Sequence, residues 1–387
     1  MNHKELVVID VKPGAAMESQ SGIAQLWPRI YGAMVRAPAL TERTPTSTVR
    51  APNLRTAAIV MHPASNFMGH YLIDPLAEAG ITTLGLNSRY LNNDSQLQME
   101  RVIQDLGAGV TWLRGQGFDK IVLIGNSGGA ALAAFYQAQA ERLTATHTSV
   151  GDPTGLSPGD LPLIDGIALT AAHPGRSRLF AEWLDPSVID ERDAFSADPA
   201  LDMFNPANGP PFAADWLARY RAAQVARNLR IEGWARAQLG FVRALPQGVR
   251  DMAFIIYRSG ADPRHLDPSL DPNDRPPGTT IWGDPRQLNY GANNIGRYTT
   301  ISSYLSQWAQ SSPADGPDNL ARAHGPVLLI EHTADASVVP VMNQLWVDAA
   351  GARLTRHALK GGTHYLAGQP KLVAESVEVI AAWAKSL

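Results

Sequence analysis

The sequence predicts an α/β fold: a mostly parallel sheet with helices on both faces, carrying one large, mainly helical and loop-rich insertion. Three observations point there. Short apolar runs without polar alternation, the pattern of strands buried on both faces, recur along the chain. Between the first of these runs lie segments with apolar residues at helical spacing, so strand and helix alternate and the crossovers must be right-handed. From His173 to about Leu320 the text changes and becomes rich in Pro, Gly, Asp and Trp. A length of 387 residues suits a core with an insertion better than one small domain.

The elements follow in order. Ala57-Ala58-Ile59-Val60-Met61 is the first buried run and ends at His62-Pro63. A helix is expected over Phe67 to Ala79, closed by Gly80, and Thr82 to Leu86 is the next strand. Ser95 to Gly115 carries Met99, Val102, Ile103, Leu106, Val110 and Leu113 at helical spacing. Lys120 to Ile124 is a further buried strand, running into Gly125-Asn126-Ser127-Gly128-Gly129 and then an alanine-rich helix packed close on the sheet. Gly166 to Thr170 and Pro326 to Glu331 extend the same sheet. A strand from Arg353 to Leu359 and a helix from Lys371 to Trp383 complete it. Inside the insertion one long helix starts after Pro210-Pro211, with Gly233 and Gly240 as candidate break points. Its Trp216, Trp234, Trp282, Tyr290, Tyr298 and Tyr304 are expected to form mostly the insertion's own core, one or two of them facing a pocket. The predicted organisation is a first core part over residues 1–172, a cap over 173–320 and a second core part over 321–387.

Composition bounds the function. Hydrophobic residues make up 45% and charged residues 18%, enough apolar material for a packed interior and too little charge for a disordered chain. Net charge is −3, from 33 basic and 36 acidic residues spread along the sequence, so nothing points to nucleic acid or an anionic membrane as partner. The absence of cysteine removes disulfides, thiol catalysis and Cys-ligated metals, and favours a reducing cytoplasm as the compartment. No stretch reaches the roughly 20 apolar residues that span a bilayer, and Met1 to Lys12 has no apolar leader core. The expected partners are a small-molecule substrate and water, with no cofactor and no metal; homo-oligomerisation stays open. The acidic run Asp262, Asp267, Asp271 and Asp274 lacks the spacing of a calcium loop, and its interleaved prolines suggest solvated turns.

Chemistry enters with Gly125-Asn126-Ser127-Gly128-Gly129, which fits G-x-S-x-G: a strained strand-to-helix turn that lifts one side chain above the sheet, with glycines where a Cβ would collide. A serine hydroxyl needs an imidazole to take its proton, and that imidazole needs an acceptor to orient it. Downstream, Asp335 follows the run ending at Ile330, and His364 sits in a glycine-bearing loop after the last strand, at the same carboxyl edge of the sheet. Ser127 is thus the candidate nucleophile, Asp335 the acid and His364 the base. Glu331 and Asp348 are weaker rivals for the acid, and His357 for the base.

At these residues the chain resembles the α/β-hydrolase superfamily, from about Thr56 to Gly175 and from about Gly325 to the C-terminus. The resemblance also rests on the turn His62-Pro63-Ala64-Ser65-Asn66 after the third core strand, on Asp105 with Trp112-Leu113, and on Asp335 with Val339-Pro340. It implies an oxyanion hole built from the backbone N–H of Gly128 and one from the turn, Ala64 or Ser65. His62, Asn66 and Asn126 are expected to meet the substrate. Pro63 stands where many members of the superfamily carry glycine, and Asn87-Ser88-Arg89-Tyr90 replaces a turn that usually reads Asp-x-Arg-Gly. The expected function is hydrolysis of an ester, thioester or lactone bond of a mainly apolar small molecule through an acyl-enzyme on Ser127. Two alternatives compete: carbon–carbon bond hydrolysis of a diketone or meta-cleavage-type substrate, and non-catalytic binding of a small molecule.

Overall fold

Eight strands make the central sheet: β1 (Lys4–Asp10), β2 (Arg29–Val35), β3 (Thr56–His62), β4 (Thr82–Asn87), β5 (Lys120–Asn126), β6 (Gly166–Thr170), β7 (Val327–His332) and β8 (Leu354–Leu359). Their order is β1-β2-β4-β3-β5-β6-β7-β8. Only β2 runs against its neighbours; every pair from β4 to β8 is parallel. This is a computed structural model, and it describes residues 3–12, 17–18, 24–25, 28–38, 55–292 and 294–387.

The strands from β3 to β7 are the ones the apolar runs predict, because each is buried on both faces. β1 and β2 were not among the expected elements. In β1 buried Val7 and Ile9 alternate with exposed Leu6 and Val8, so an edge strand with charged ends hides among ordinary surface text.

Helices cover both faces: α1 (Ile73–Glu78), α2 (Met99–Gly115), α3 (Gly129–Glu141), α9 (Pro340–Ala350) and α10 (Pro370–Ser386). Successive strand residues point to opposite layers. Ile59, Leu123 and Leu329 pack with Leu106 and Val110 of α2, Phe135 of α3 and Trp346 of α9. Val60, Ile124 and Leu328 pack with Leu76 of α1 and Ile380 and Trp383 of α10. The helix expected over 67–79 is shorter because Phe67 donates its N–H to Asn87 Oδ1 at 2.8 Å, which pins residues 67–72 to the end of β4.

Between β6 and β7 the chain forms α4 (Arg176–Trp183), α5 (Ala214–Arg243), α6 (Pro285–Tyr290), α7 (Ile301–Gln307) and α8 (Gly316–Arg322). α5 runs unbroken for 30 residues. Gly233 and Gly240 face open space, while Trp216, Tyr220, Gln224, Arg227, Ile231 and Ala235 bury one stripe that holds the helix together. Phe180, Ile231, Tyr304 and Trp308 give the insertion its own core. α8 packs against α3 and α9, so the boundary expected at Leu320 falls inside a helix that flanks the sheet. Among the described residues, no helix is long and apolar enough to cross a membrane.

A buried ion pair ties the turn after β4 to α2. Asp105 accepts from the Arg89 backbone N–H and Nε, each at 2.8 Å, and both side chains are fully buried. Removing one partner strands the other charge, so Asp105→Ala is expected to cost about 3–5 kcal/mol of stability. Urea unfolding would measure this, and a loss below about 1 kcal/mol would mean that water reaches the guanidinium once its partner is gone.

Candidate active site

Ser127 sits between β5 and α3 with a φ of +54°, in the left-handed region that side chains rarely adopt. The turn is held sharp by packing: a Cβ on Gly129 would lie 2.2 Å from the Met61 carbonyl oxygen. The Ser127 N–H donates to the Thr170 carbonyl at 3.1 Å, fixing the turn to the end of β6. The hydroxyl therefore stands at the carboxyl edge of the sheet, where the loops after β3, β6, β7 and β8 converge.

His364 Nε2 accepts from Ser127 Oγ at 3.1 Å, and His364 Nδ1 donates to Asp335 Oδ2 at 2.7 Å. Asp335 is fully buried, and its other oxygen accepts the N–H groups of Ser337 (2.7 Å) and Val338 (3.0 Å). Burial pushes its carboxyl upward, but the charge and hydrogen bond of His364 and these two amides outweigh that and hold it below the usual carboxylate range. His332, at the end of β7, braces the loop beneath. Its Nδ1 donates to the Thr363 carbonyl at 2.8 Å and its Nε2 accepts from Thr170 Oγ1 at 2.9 Å. The rivals lie elsewhere: Glu331 pairs with Arg356, Asp348 accepts from Gln344, and His357 meets Glu375.

Ser127 opens onto a cavity of about 510 Å³ between the sheet edge and the insertion, with His364 and Asp335 buried behind it. His62, Asn66 and Asn126 all line it. Asn126 reaches back to the Thr170 carbonyl at 3.4 Å and the Tyr71 hydroxyl at 3.5 Å, while Asn66 Oδ1 accepts from Asn87 Nδ2 at 3.0 Å. From the insertion come Leu179, Ile281, Trp282, Ile295 and Trp308, a mainly apolar wall. Of the aromatic residues singled out in the insertion only Trp282 reaches the cavity; Trp216 and Tyr304 are buried core and the rest are partly exposed.

Two features depart from the expectation. The Ala64 and Ser65 N–H groups donate to His62 Nδ1, at 3.2 and 3.0 Å, and so are engaged by the imidazole of their own turn. Asp262 is not a solvated turn residue: it is 2% exposed and ion-paired with Arg264 and Arg221, which hold its carboxyl well below the usual range against the opposing effect of burial.

His173, Arg176 and Trp308 line the cavity without having been singled out. Arg176 stacks 4.8 Å above the Trp308 ring, donates to Gln307 and faces Asp94 at 3.7 Å; burial lowers its pKa, opposed by Asp94. A legible signal existed for His173 alone, since His173-Pro174 follows β6 as His62-Pro63 follows β3. Among the described residues, no group of three or more His, Cys, Asp or Glu side chains is arranged to hold a metal ion.

Buried neutral histidines carry a stability consequence. Burial lowers His173 to about 3 and His265, packed edge-on against Trp183, to about 4. The unfolded chain takes up these protons near pH 6.5 and the native state does not, so their contribution is complete above that pH and is lost as pH falls toward the folded values. Between pH 7.5 and 5 each ring is expected to cost roughly 2 kcal/mol of unfolding free energy, from about 1.4 kcal/mol per pH unit below 6.5. Urea unfolding at the two pH values should show about 4 kcal/mol from this pair, to which His62 and His70, lowered by burial in the same way, add. His265→Gln should reduce the difference by about 2 kcal/mol. Equal stability at both would mean that the rings protonate in the folded state.

No known family pattern matches the sequence, and no curated protein does. Solved structures do resemble it in fold. DcsB, solved in complex with its substrate analogue, superposes with a TM-score of 0.51 at 14% identity over 99% of each chain. The esterase domain of a Rhodothermus marinus protein matches at a TM-score of 0.43 and 12% identity over 99% of each chain. A monoacylglycerol lipase of Paleococcus ferrophilus matches at 0.45 and 14% over 92% of this chain and 98% of its own.

Proposed function

We propose that this chain, which has the α/β-hydrolase fold, is a serine hydrolase that cleaves an ester, thioester or lactone bond of a mainly apolar small molecule held between the sheet edge and a cap drawn over residues 173–320. The observation that carries this reading is the unbroken relay from Asp335 Oδ2 through His364 to Ser127 Oγ, with spacings of 2.7 and 3.1 Å, opening onto a cavity. Ser127 Oγ attacks the carbonyl carbon while His364 Nε2 takes its proton. The carbonyl π electrons move to oxygen, and the collapse of that adduct expels the leaving group, which receives the proton from His364. Water, activated by the same imidazole, then attacks the acyl-serine and frees the acid.

The wall of Leu179, Ile281, Trp282 and Trp308 suits an apolar acyl or alcohol part, and it displaces water from the reacting carbonyl. The Gly128 N–H belongs to the first amides of α3, which have no intrahelical acceptor, and it is the first donor for the developing oxyanion. The reading is tested by incubating the folded protein with a fluorophosphonate probe, mapping the adduct, and assaying p-nitrophenyl esters of graded acyl length. An adduct on Ser127 together with ester turnover is the expected result. Turnover of a vinylogous diketone in place of esters would favour carbon–carbon bond hydrolysis, and neither adduct nor turnover would leave a binding protein.

A further inference from the structure

β3 and β6 are the two neighbours of β5, one on each side, and each leads into a His-Pro dipeptide: His62-Pro63 and His173-Pro174. The strand order thus brings two imidazoles to the flanks of the Ser127 turn. Their Nε2 atoms converge on the next residue, since a Cβ built on Gly128 would lie 2.7 Å from His62 Nε2 and 3.1 Å from His173 Nε2.

The opposite nitrogen of each ring is an acceptor. His62 Nδ1 accepts from the Ala64 and Ser65 N–H groups, and His173 Nδ1 accepts from the Gly175 N–H at 3.3 Å. A ring nitrogen that accepts such a bond carries no proton, so a neutral imidazole must hold its proton on Nε2. Both rings are kept neutral by burial first and by the nearby Arg176 charge second, His173 at about 3 and His62 well below its ordinary value. The result is a pair of Nε2–H donors on the cavity wall beside Ser127, with no hydrogen-bond acceptor among the described residues. Pro63 has no N–H to offer, and the next two amides are engaged by the His62 ring, so the backbone of this turn leaves no free donor at those positions.

We propose that the Nε2–H groups of His62 and His173 join the Gly128 N–H as donors to the oxyanion of the tetrahedral adduct, replacing the turn amides in that role. The inference rests on the serine-hydrolase reading. As Ser127 Oγ bonds to the carbonyl carbon and the π pair moves onto oxygen, the two imidazoles stabilise the new charge by hydrogen bonding and transfer no proton, which suits rings that stay neutral at working pH.

The test uses the full chain, a p-nitrophenyl ester and a trifluoromethyl ketone, which forms an anionic adduct on the serine. His62→Phe and His173→Phe are each expected to lower kcat by roughly 10²–10³-fold with KM within about threefold, and to weaken ketone binding by a matching factor. His62→Gln restores an N–H donor and should recover at least about tenfold of the lost kcat. Because His62→Phe also releases the 63–65 turn, Gly128→Ala is the second arm. It keeps both imidazoles in the chain, but its Cβ would lie 2.7 Å from His62 Nε2 and 3.1 Å from His173 Nε2, so the rings must shift from the site and kcat and ketone affinity should again fall together. Retention of kcat within threefold in both Phe variants, or a fall in kcat without a fall in ketone affinity, overturns the proposal. Loss of the fluorophosphonate adduct in the unmodified protein would instead overturn the serine-hydrolase reading itself.

Discussion

Ser127→Ala is expected to lower kcat for an ester substrate by roughly 10⁴–10⁶-fold, with the folded structure and KM little changed. Alanine keeps the backbone of the turn, its contact to Thr170 and the packing around Gly129, and removes only the oxygen that His364 holds at 3.1 Å. The residual rate would come from binding and oxyanion stabilisation. His364→Ala should fall by a similar amount, and the double variant should fall no further, because nucleophile and base act as one unit and their losses do not add. The measurement is steady-state turnover together with fluorophosphonate labelling. A Ser127→Ala protein that keeps more than about a tenth of the parent kcat would remove the nucleophile from this site.

Asp335→Asn is expected to lower kcat by about 10⁴-fold, and to lose at neutral pH the stability that the ionised carboxyl contributes. The reason lies in which atom faces which. One carboxylate oxygen accepts two amides, from Ser337 and Val338, so an asparagine must put its carbonyl oxygen there and turn its NH₂ toward His364. That amide donates to Nδ1, forces the imidazole proton onto Nε2, and leaves nothing to accept the proton of Ser127. Nitrogen-15 spectra of His364 should report the switched tautomer while the KM for esters holds. The acid limb of stability should also flatten. A carboxyl held below its ordinary value stabilises the fold above about pH 4 and loses that contribution as pH falls further, so the asparagine variant should lose less between pH 5 and 3 than the parent. If kcat stays within tenfold of the parent, Asp335 does not orient the base.

Much of this was readable from the text because the physics is local. β3 to β7 are buried on both faces, which demands uninterrupted apolar runs, and such runs stand out. The Ser127 turn announces itself because only glycine fits where a Cβ would meet the Met61 carbonyl. Asp335 and His364 stood out as candidates because each follows a strand, and parallel strands end at one edge. β1 was hidden for the opposite reason: an edge strand needs only Val7 and Ile9 buried, and alternation with charge looks like ordinary surface. The acidic run misled for a related reason, since the text shows the carboxylate of Asp262 and not the two arginines that bury it.

Sequence alone determined the fold class and the strained serine turn, because steric exclusion and buried apolar runs leave few other readings of these two. Chain order named Asp335 and His364, which lie within hydrogen-bond reach of one another, with His364 also within reach of Ser127. Tertiary structure decided the surroundings. Strand order set His62 and His173 on either side of Gly128, although more than a hundred residues separate them in the chain. The rotation of one imidazole engaged the Ala64 and Ser65 amides, and the fold of the insertion brought Arg176 and Trp308 to the cavity. These outcomes depend on the relative positions of segments distant in sequence and on the side-chain torsions that result. Local periodicity and residue preference carry no record of either.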